Sequence, residues 1–292
     1  MISFVNAKIN LGLNILSKRA DGYHNLSTLF YPIGIFNGTL HNPEPFCDIL
    51  EITRKDRYGN DEFVFSGNYI DCPFEKNLVV KALKAYNAKL HEKALEPFPV
   101  KISLDKHIPD GAGLGGGSAD ASFVLKALNS LYADVLTREE LIDVAKSLGA
   151  DCPFFIENRP VLAGGIGEVM KPYPLELSGY TCVVVKPDIY VSTKEAFEGI
   201  TPREPERPIE DILTYPVKEW EKEGLKNDFE TSIFSRHPEL KEIKESLKDA
   251  GADYAAMSGS GSSLFGLFAG EKEARETFER YKERYKTFLI KL

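Results

Sequence analysis

The chain has 292 residues and a formal net charge of −8, a balance that disfavours nonspecific binding to a nucleic-acid backbone. Its 43% hydrophobic and 27% charged residues give ample material for a globular core, and the length favours two domains, which we divide as 1–158 and 159–292. No apolar run approaches a bilayer span, the start lacks a signal-peptide layout, and Cys47, Cys72, Cys152 and Cys182 show no C-x-x-C spacing, so we expect a reduced cytoplasmic compartment without a zinc site or disulfide framework.

In chain order, Ile2 to Leu16 alternates for much of its length and predicts one strand. Lys8 falls in its middle, where a lysine either snorkels to solvent or meets an anion; taken alone, snorkelling is the simpler reading. Lys18 to His24 reads as a turn punctuated by Asp21-Gly22. Leu26 to Ile35 predicts a second strand, stopped or kinked at Pro32. Asp48 to Thr53 and Glu62 to Phe65 predict strands on either side of the turn-rich Lys55 to Asp61. Asn77 to His91 has helical spacing at Leu78, Ala82, Ala85 and Leu90, and Val100 to Leu104 is an apolar strand. A helix is predicted over Ser118 to Leu131. Another, over Thr137 to Leu148, carries a Thr137/Glu140 capping box and stops at Gly149.

In Gly149 to Ile156, GADCPFFI, Asp151 precedes a proline and two phenylalanines. It suits a helix N-cap, a partly shielded reactive carboxylate, or both. Cys152 is read as packing. Val161 to Met170, with Gly164, Gly165 and Gly167, predicts a bent strand or turn, and Tyr180 to Lys186 a short buried strand. Ser192 to Phe197 opens a capped helix, and Ile200 to Pro208 is an exposed loop. Pro238 to Ala250 is an amphipathic helix with Leu240, Ile243 and Leu247 on one face. Asp253 to Phe268 reads strand, glycine-serine loop, strand. A helix over Lys272 to Tyr285 and a strand over Thr287 to Ile290 follow. That order suits a small sheet layered on helices.

Pro109 to Ala121, PDGAGLGGGSADA, holds five glycines between a predicted strand and a predicted helix. Glycines let the backbone turn through positive φ and approach a ligand closely, and the helix then directs free N–H groups at it. The combination is an anion site whose usual occupant is phosphate. Gly111, Gly113 and Gly116 form a literal G-x-G-x-x-G, but the nearest acidic residue, Asp134, lies between two predicted helices, which excludes a dinucleotide fold. The loop ends Gly117-Ser118-Ala119 and lacks the lysine of a Walker A motif, and the protein-kinase HRD and DFG signatures are absent.

The glycine loop, a lysine strand before it and the serine-glycine run Ser258 to Ser263 together resemble the superfamily of galactokinase, homoserine kinase, mevalonate kinase and phosphomevalonate kinase. Ala7 to Leu13, Arg19 to His24 and Gly149 to Phe155 (AKINLGL, RADGYH and GADCPFF) occur in the order seen in the 4-diphosphocytidyl-2-C-methyl-D-erythritol kinase family, and the resemblance spans nearly the whole chain. It implies an α+β protein of two domains. The first is a ribosomal-protein-S5-domain-2-like α/β domain, the second a ferredoxin-like α/β sandwich, with the site in the cleft between them. It further implies transfer of the ATP γ-phosphoryl, with Mg²⁺, to the 2-hydroxyl of a cytidine-diphosphate polyol in the non-mevalonate route to isoprenoids.

By the same resemblance, Asp151 is the catalytic base and Lys8 its partner. Pro109, Asp110, Gly111, Ala112, Gly113, Leu114, Gly115, Gly116, Gly117 and Ser118 wrap the triphosphate, and Asn77 approaches the adenine side. Asn10 contacts the substrate, and Tyr23 and His24 recognise cytosine, with Thr193 and Phe197 completing that pocket. Ala119 stands where the family often has a second serine, and Cys152 where valine is common. No metal ligand is assigned. Two alternatives remain open: another small-molecule kinase of the superfamily, of homoserine or mevalonate type, and a noncatalytic nucleotide sensor. A substrate panel separates the first, and ATP binding without turnover would mark the second.

Overall fold

The computed structural model describes residues 1–35, 46–56, 59–70 and 72–292. Arg57 and Tyr58, within the expected turn before Asp61, lie outside the described residues. The chain forms two compact units, each assembled from separated stretches: Met1–Ala7, Ile35–Asp110 and Gly115–Arg159 in one, and Lys8–Gly34, Gly111–Leu114 and Pro160–Leu292 in the other.

The first unit is built on a four-stranded sheet of β1 (Ile2–Val5), β4 (Asp48–Arg54), β6 (Val100–Lys106) and β5 (Glu62–Gly67), in the order β1-β4-β6-β5. β4 runs antiparallel to β1 and β6, and β5 runs parallel to β6. Strict alternation in β6 buries Val100, Ile102, Leu104 and Lys106. Helices α1 (Leu78–Glu92), α2 (Gly116–Leu131), α3 (Arg138–Leu148) and α4 (Cys152–Glu157) complete the unit, with α2 packed on α1, α3, α4 and β4. The Thr137/Glu140 capping box expected at the start of α3 is present.

The second unit has two sheets, β2-β3-β7-β8 and β10-β11-β9-β12. Their strands are β2 (Ala7–Lys18), β3 (His24–Ile33), β7 (Val161–Gly164), β8 (Val169–Pro172), β9 (Thr181–Lys186), β10 (Tyr254–Met257), β11 (Leu264–Phe268) and β12 (Lys286–Lys291). The β9–β12 sheet is antiparallel throughout, with α8 (Pro238–Asp249) on β10 and β11 and α9 (Glu271–Tyr281) on β9 and β12. This is the sheet-on-helices layer expected from the order of elements. Leu240, Ile243 and Leu247 of α8 are buried in its core, each contributing about 1.5–3 kcal/mol by removal from water. The remaining helices are α5 (Thr193–Glu198), α6 (Ile209–Ile212) and α7 (Phe229–Arg236).

Three readings need correction. Ile2 to Leu16 is two strands in different sheets, divided at Asn6. The buried Asn6 amide donates to Ala7 O at 2.9 Å, and its oxygen accepts from the Asn158 amide at 2.8 Å, so a partner 152 residues away makes the break. Val161 to Met170 belongs to the β7–β8 hairpin, paired from Val161↔Pro172 to Gly164↔Val169. β3 runs from His24 to Ile33, ending one residue past Pro32 and short of the expected Ile35.

Candidate functional site

In the second unit, β2 carries Lys8, Asn10, Gly12 and Asn14 on one face. The strand is buried along nearly its whole length rather than on alternate residues, so its polar side chains must find partners inside the protein. Lys8 is only 3% exposed, which rules out a snorkelling surface lysine. Its ammonium donates to Asn10 Oδ1 at 2.6 Å and lies 5.0 Å from the centre of the Phe30 ring. The Asn10 amide donates to Thr28 Oγ1 at 2.9 Å, and that hydroxyl donates to Gly12 O at 2.5 Å. The result is a directed chain of hydrogen bonds that starts at the Lys8 nitrogen and ends on the Gly12 carbonyl.

The tip of the glycine loop, Gly111–Leu114, belongs to the same unit. The Lys8 backbone N–H donates to Leu114 O at 3.0 Å. The Ser258 hydroxyl donates to Gly113 O at 2.8 Å, and Ser263 N–H to Ala112 O at 3.3 Å. Gly113 has φ +76°, and a Cβ there would lie 2.0 Å from Ser258 O. No side chain fits, so the Ser258–Ser263 run is a clamp on this loop rather than a plain hairpin turn.

At the other end of β3, the His24 imidazole stacks on Phe197 with centroids 4.8 Å apart and planes 17° from parallel. Phe197 meets Phe229 edge-on at 4.9 Å. Burial, aided by Lys18, pushes the His24 pKa below the ordinary imidazole value. Tyr23 is 60% exposed beside it. Thr193 begins α5, one helical turn before Phe197, and is exposed. Thr28 lies four positions along β3 from His24, about 14 Å of strand. The His24–Phe197 stack at the start of β3 and the Lys8–Asn10 polar chain, which meets β3 at its middle through Thr28, are therefore separated along the strand.

In the first unit, Pro109 and Asp110 follow β6, and Gly115 precedes α2, whose first residues are Gly116, Gly117 and Ser118. Gly115 takes the N-cap position with φ +72° and supplies no side-chain cap. The first-turn N–H groups of a 16-residue helix are thus left to backbone or ligand. Beneath that turn is a buried cluster that sequence reading did not find. The Lys106 ammonium is hydrogen-bonded to Asp48 and, at 2.7 Å, to Asp120. Asp48 also accepts from the N–H groups of His107 at 2.6 Å and Ile108 at 2.8 Å. Burial would lower the Lys106 pKa, but the two carboxylates hold it above the ordinary value. Burial raises that of Asp120 despite Lys106.

Asn77 caps α1, its side chain accepting from Val79 N–H at 2.9 Å. It lines a cavity of about 360 Å³ with Phe65, Tyr69, Ile70, Cys72 and Phe74. Asn68 fastens this cavity wall to the approach to the glycine loop, donating to Lys106 O and His107 O, each at 2.8 Å. Gly117, in turn, lies against Leu78, which follows Asn77.

Asp151 occupies the N-cap position of α4, but its side chain makes no cap hydrogen bond. The cap reading therefore does not explain the carboxylate. The Ser122 hydroxyl sits 2.8 Å from Ser118 O and 2.7 Å from Cys152 O, tying the loop end of α2 to the start of α4. Burial pushes the Cys152 thiol up to about 11, as befits packing rather than chemistry.

Residues 77–159 match the family model for the GHMP kinases N terminal domain, and residues 217–287 that for GHMP kinases C terminal. The two-domain fold and its glycine loop are those of this class of small-molecule kinases. A Parabacteroides distasonis protein named 4-diphosphocytidyl-2-C-methyl-D-erythritol kinase is 51% identical over 92% of each chain. A Bacteroides fragilis protein of the same name is 51% identical over 94% of each. A crystal structure of 4-(cytidine 5'-diphospho)-2C-methyl-D-erythritol kinase superposes with TM-score 0.79 at 33% identity, covering 99% of this chain and 98% of the other. That of Methanococcus jannaschii mevalonate kinase shares the fold, with TM-score 0.70 at 15% identity over 100% and 98% of the chains. The chain belongs to the 4-diphosphocytidyl-2-C-methyl-D-erythritol kinase family. No described helix is long and apolar enough to cross a membrane.

Proposed function

We propose that this protein uses ATP to phosphorylate the 2-hydroxyl of 4-diphosphocytidyl-2-C-methyl-D-erythritol, releasing ADP, as a cytoplasmic step of isoprenoid precursor synthesis. The observation that supports this most is the layout of β2 and β3, in a chain whose relatives carry that kinase name over nine-tenths of its length. The stacked His24–Phe197 pair suits a neutral pyrimidine ring, and the polar chain that starts at the Lys8 ammonium suits a hydroxyl receiving a phosphoryl group. A substrate with a base at one end and a polyol at the other matches their separation.

In this reading residues 1–158 supply most of the ATP-binding and catalytic groups, and residues 159–292 complete the substrate side through Thr193 and Phe197. The glycine loop from Pro109 to Ser118 holds the triphosphate on backbone N–H groups, and the cavity at Asn77 takes the adenine side. Asp151 accepts the proton of the acceptor hydroxyl as its oxygen bonds to the γ-phosphorus and the bond to the ADP oxygen breaks. The Lys8 ammonium stabilises charge on the reacting oxygens. Asn10 orients the polyol, and Tyr23 and His24 hold the cytosine.

Among the described residues no three His, Cys, Asp or Glu stand together as a ligand group. That composition suits an ion carried on phosphate oxygens and water, as Mg²⁺ usually is with nucleotides. Mg²⁺ would offset the triphosphate charge, and within the loop the Ser118 hydroxyl would be the side chain to contact the metal or a phosphate oxygen.

The test is ADP release with ATP, Mg²⁺ and 4-diphosphocytidyl-2-C-methyl-D-erythritol, with homoserine and mevalonate as controls and phosphorus NMR to locate the new ester. Turnover confined to the cytidylyl substrate supports the reading. Turnover of a control instead, or ATP binding with no turnover, overturns it.

A further inference from the structure

Asn227 precedes α7 and is 3% exposed. Its backbone stretch runs parallel to β2 at Leu13, with Leu13 N–H donating to Lys226 O and Asp228 N–H to Leu13 O, both at 2.8 Å. Its side chain faces the serine-glycine run. The amide donates to Met257 O at 2.8 Å and to Gly259 O at 2.7 Å, while Oδ1 accepts from Phe229 N–H at 3.0 Å. Both donors and the acceptor are therefore in use. Met257 is held from a second direction as well: its N–H donates to Glu230 Oε1 at 2.8 Å, and Glu230 is paired with Lys244 at 2.7 Å.

Gly259 is where these restraints meet the site. A Cβ on it would lie 3.3 Å from Gly113 O and 3.4 Å from Asn10 Oδ1, the atom that accepts from the Lys8 ammonium. One residue earlier, Ser258 donates to Gly113 O and fills the space a side chain at Gly113 would need. The backbone that Asn227 fixes thus touches both the loop tip and the partner of Lys8.

We propose that Asn227 is a positioning residue for phosphoryl transfer. It anchors the carbonyls of Met257 and Gly259 to the strand carrying Lys8 and Asn10, and so sets where Gly111–Leu114 lies relative to the Lys8 ammonium. This rests on the reading of that loop as part of the triphosphate site.

The test uses the full chain carrying Asn227→Asp. The shape is kept and Phe229 N–H keeps its acceptor, but two N–H donors become an oxygen facing two carbonyls. The introduced carboxyl can donate only when protonated, and burial between carbonyls raises its pKa. At pH 8, kcat/KM for ATP is expected to fall about 10- to 100-fold, with KM for the cytidylyl substrate within about twofold of the parent. Part of the loss is expected to return on lowering the pH to about 6, a recovery that the parent protein does not show. Unchanged kinetics, or an equal loss for both substrates with the parent's pH profile, would overturn the proposal.

Ser258→Ala is the second variant, should the first fold poorly. It removes one hydrogen bond to Gly113, and an ATP KM unchanged from the parent would also overturn the proposal. Calorimetric binding of a non-hydrolysable ATP analogue separates the two readings. A parent protein without turnover defeats the functional reading, while analogue affinity in the variants still tests Asn227. A working parent with unaffected variants defeats only the positioning role.

Discussion

Gly113 and Ser258 are 145 residues apart in sequence, yet the serine hydroxyl donates to the glycine carbonyl at 2.8 Å and the serine carbonyl fills the place of the missing side chain. Gly113→Ala meets both a Cβ–oxygen separation of only 2.0 Å and a positive φ, the latter alone a strain of about 1–3 kcal/mol before any displacement of the loop. Binding of an ATP analogue should weaken by tenfold or more, read by calorimetry. Gly111→Ala is the control. It shares the positive φ, but its Cβ would meet only Tyr190, at 3.6 Å, so its loss should be clearly smaller. Equal effects at the two positions would show that conformational freedom, not the Ser258 contact, is what matters.

Asp151 heads α4 without capping it. Asp151→Ala therefore removes no helix cap, and its main effect is expected on turnover rather than on the melting temperature. It should lower kcat by about 10²- to 10⁴-fold, with ATP affinity little changed. Rapid-quench turnover together with a melting curve checks both halves. A destabilised protein with near-normal kcat would return Asp151 to a structural role.

Desolvation holds His24 neutral to lower pH than an ordinary imidazole, whose value is 6.5. If the neutral ring binds cytosine, KM for the cytidylyl substrate should stay flat from pH 8 to below 6.5 and rise only as pH falls through the lowered value. His24→Ala should raise that KM at every pH and remove the acid-side rise. A KM that climbs already above pH 6.5, or one indifferent to the substitution, would speak against this role.

Asp120 keeps its proton to higher pH in the folded chain than the ordinary 3.8, because burial outweighs the attraction of Lys106. The folded state then binds more protons than the unfolded one, so stability falls as pH rises from 3.8 through the raised value. Asp120→Asn removes this linkage. It should be neutral or stabilising at pH 8, with an advantage that vanishes toward pH 4. Lys106→Met leaves two buried carboxylates facing each other and should cost about 3–5 kcal/mol. Denaturant melts across pH measure both.

The glycine loop, Asp151 and the RADGYH turn were legible because their chemistry is local: a backbone that needs glycine, a carboxylate beside proline, a turn. The Lys106 cluster was half legible. Alternation in β6 continues past Leu104 and puts Lys106 on the face of Val100, Ile102 and Leu104, so a buried ammonium in need of carboxylates could have been inferred. Which carboxylates could not, since Asp48 and Asp120 come from a neighbouring strand and a following helix. The break at Asn6 and the grip of Asn227 on residues 257–259 depend on partners about 150 and 30 residues away. No periodicity encodes such pairs. α6 and α7 were missed for a related reason: these short helices lie beside a Pro- and charge-rich stretch, and burial of Ile209, Ile212, Phe229 and Ile233 stabilises them more than propensity does.

The interleaving of the two units bears on how the chain acquires its structure during synthesis. Neither unit exists as an uninterrupted stretch. The β2–β3 hairpin is made early, yet apart from Gly111–Leu114 the residues it joins in its own unit begin only at Pro160. A nascent chain must carry this largely buried hairpin without its partners while the greater part of the first unit is still being made. A fragment beginning at residue 160, in turn, lacks β2, β3 and the loop tip, whereas residues 1–159 hold every stretch of the first unit. Long sequence separations of this kind slow folding, so the second unit should assemble late, only once the chain beyond Pro160 has been made, and limited proteolysis near residue 160 should leave the C-terminal piece without a stable fold.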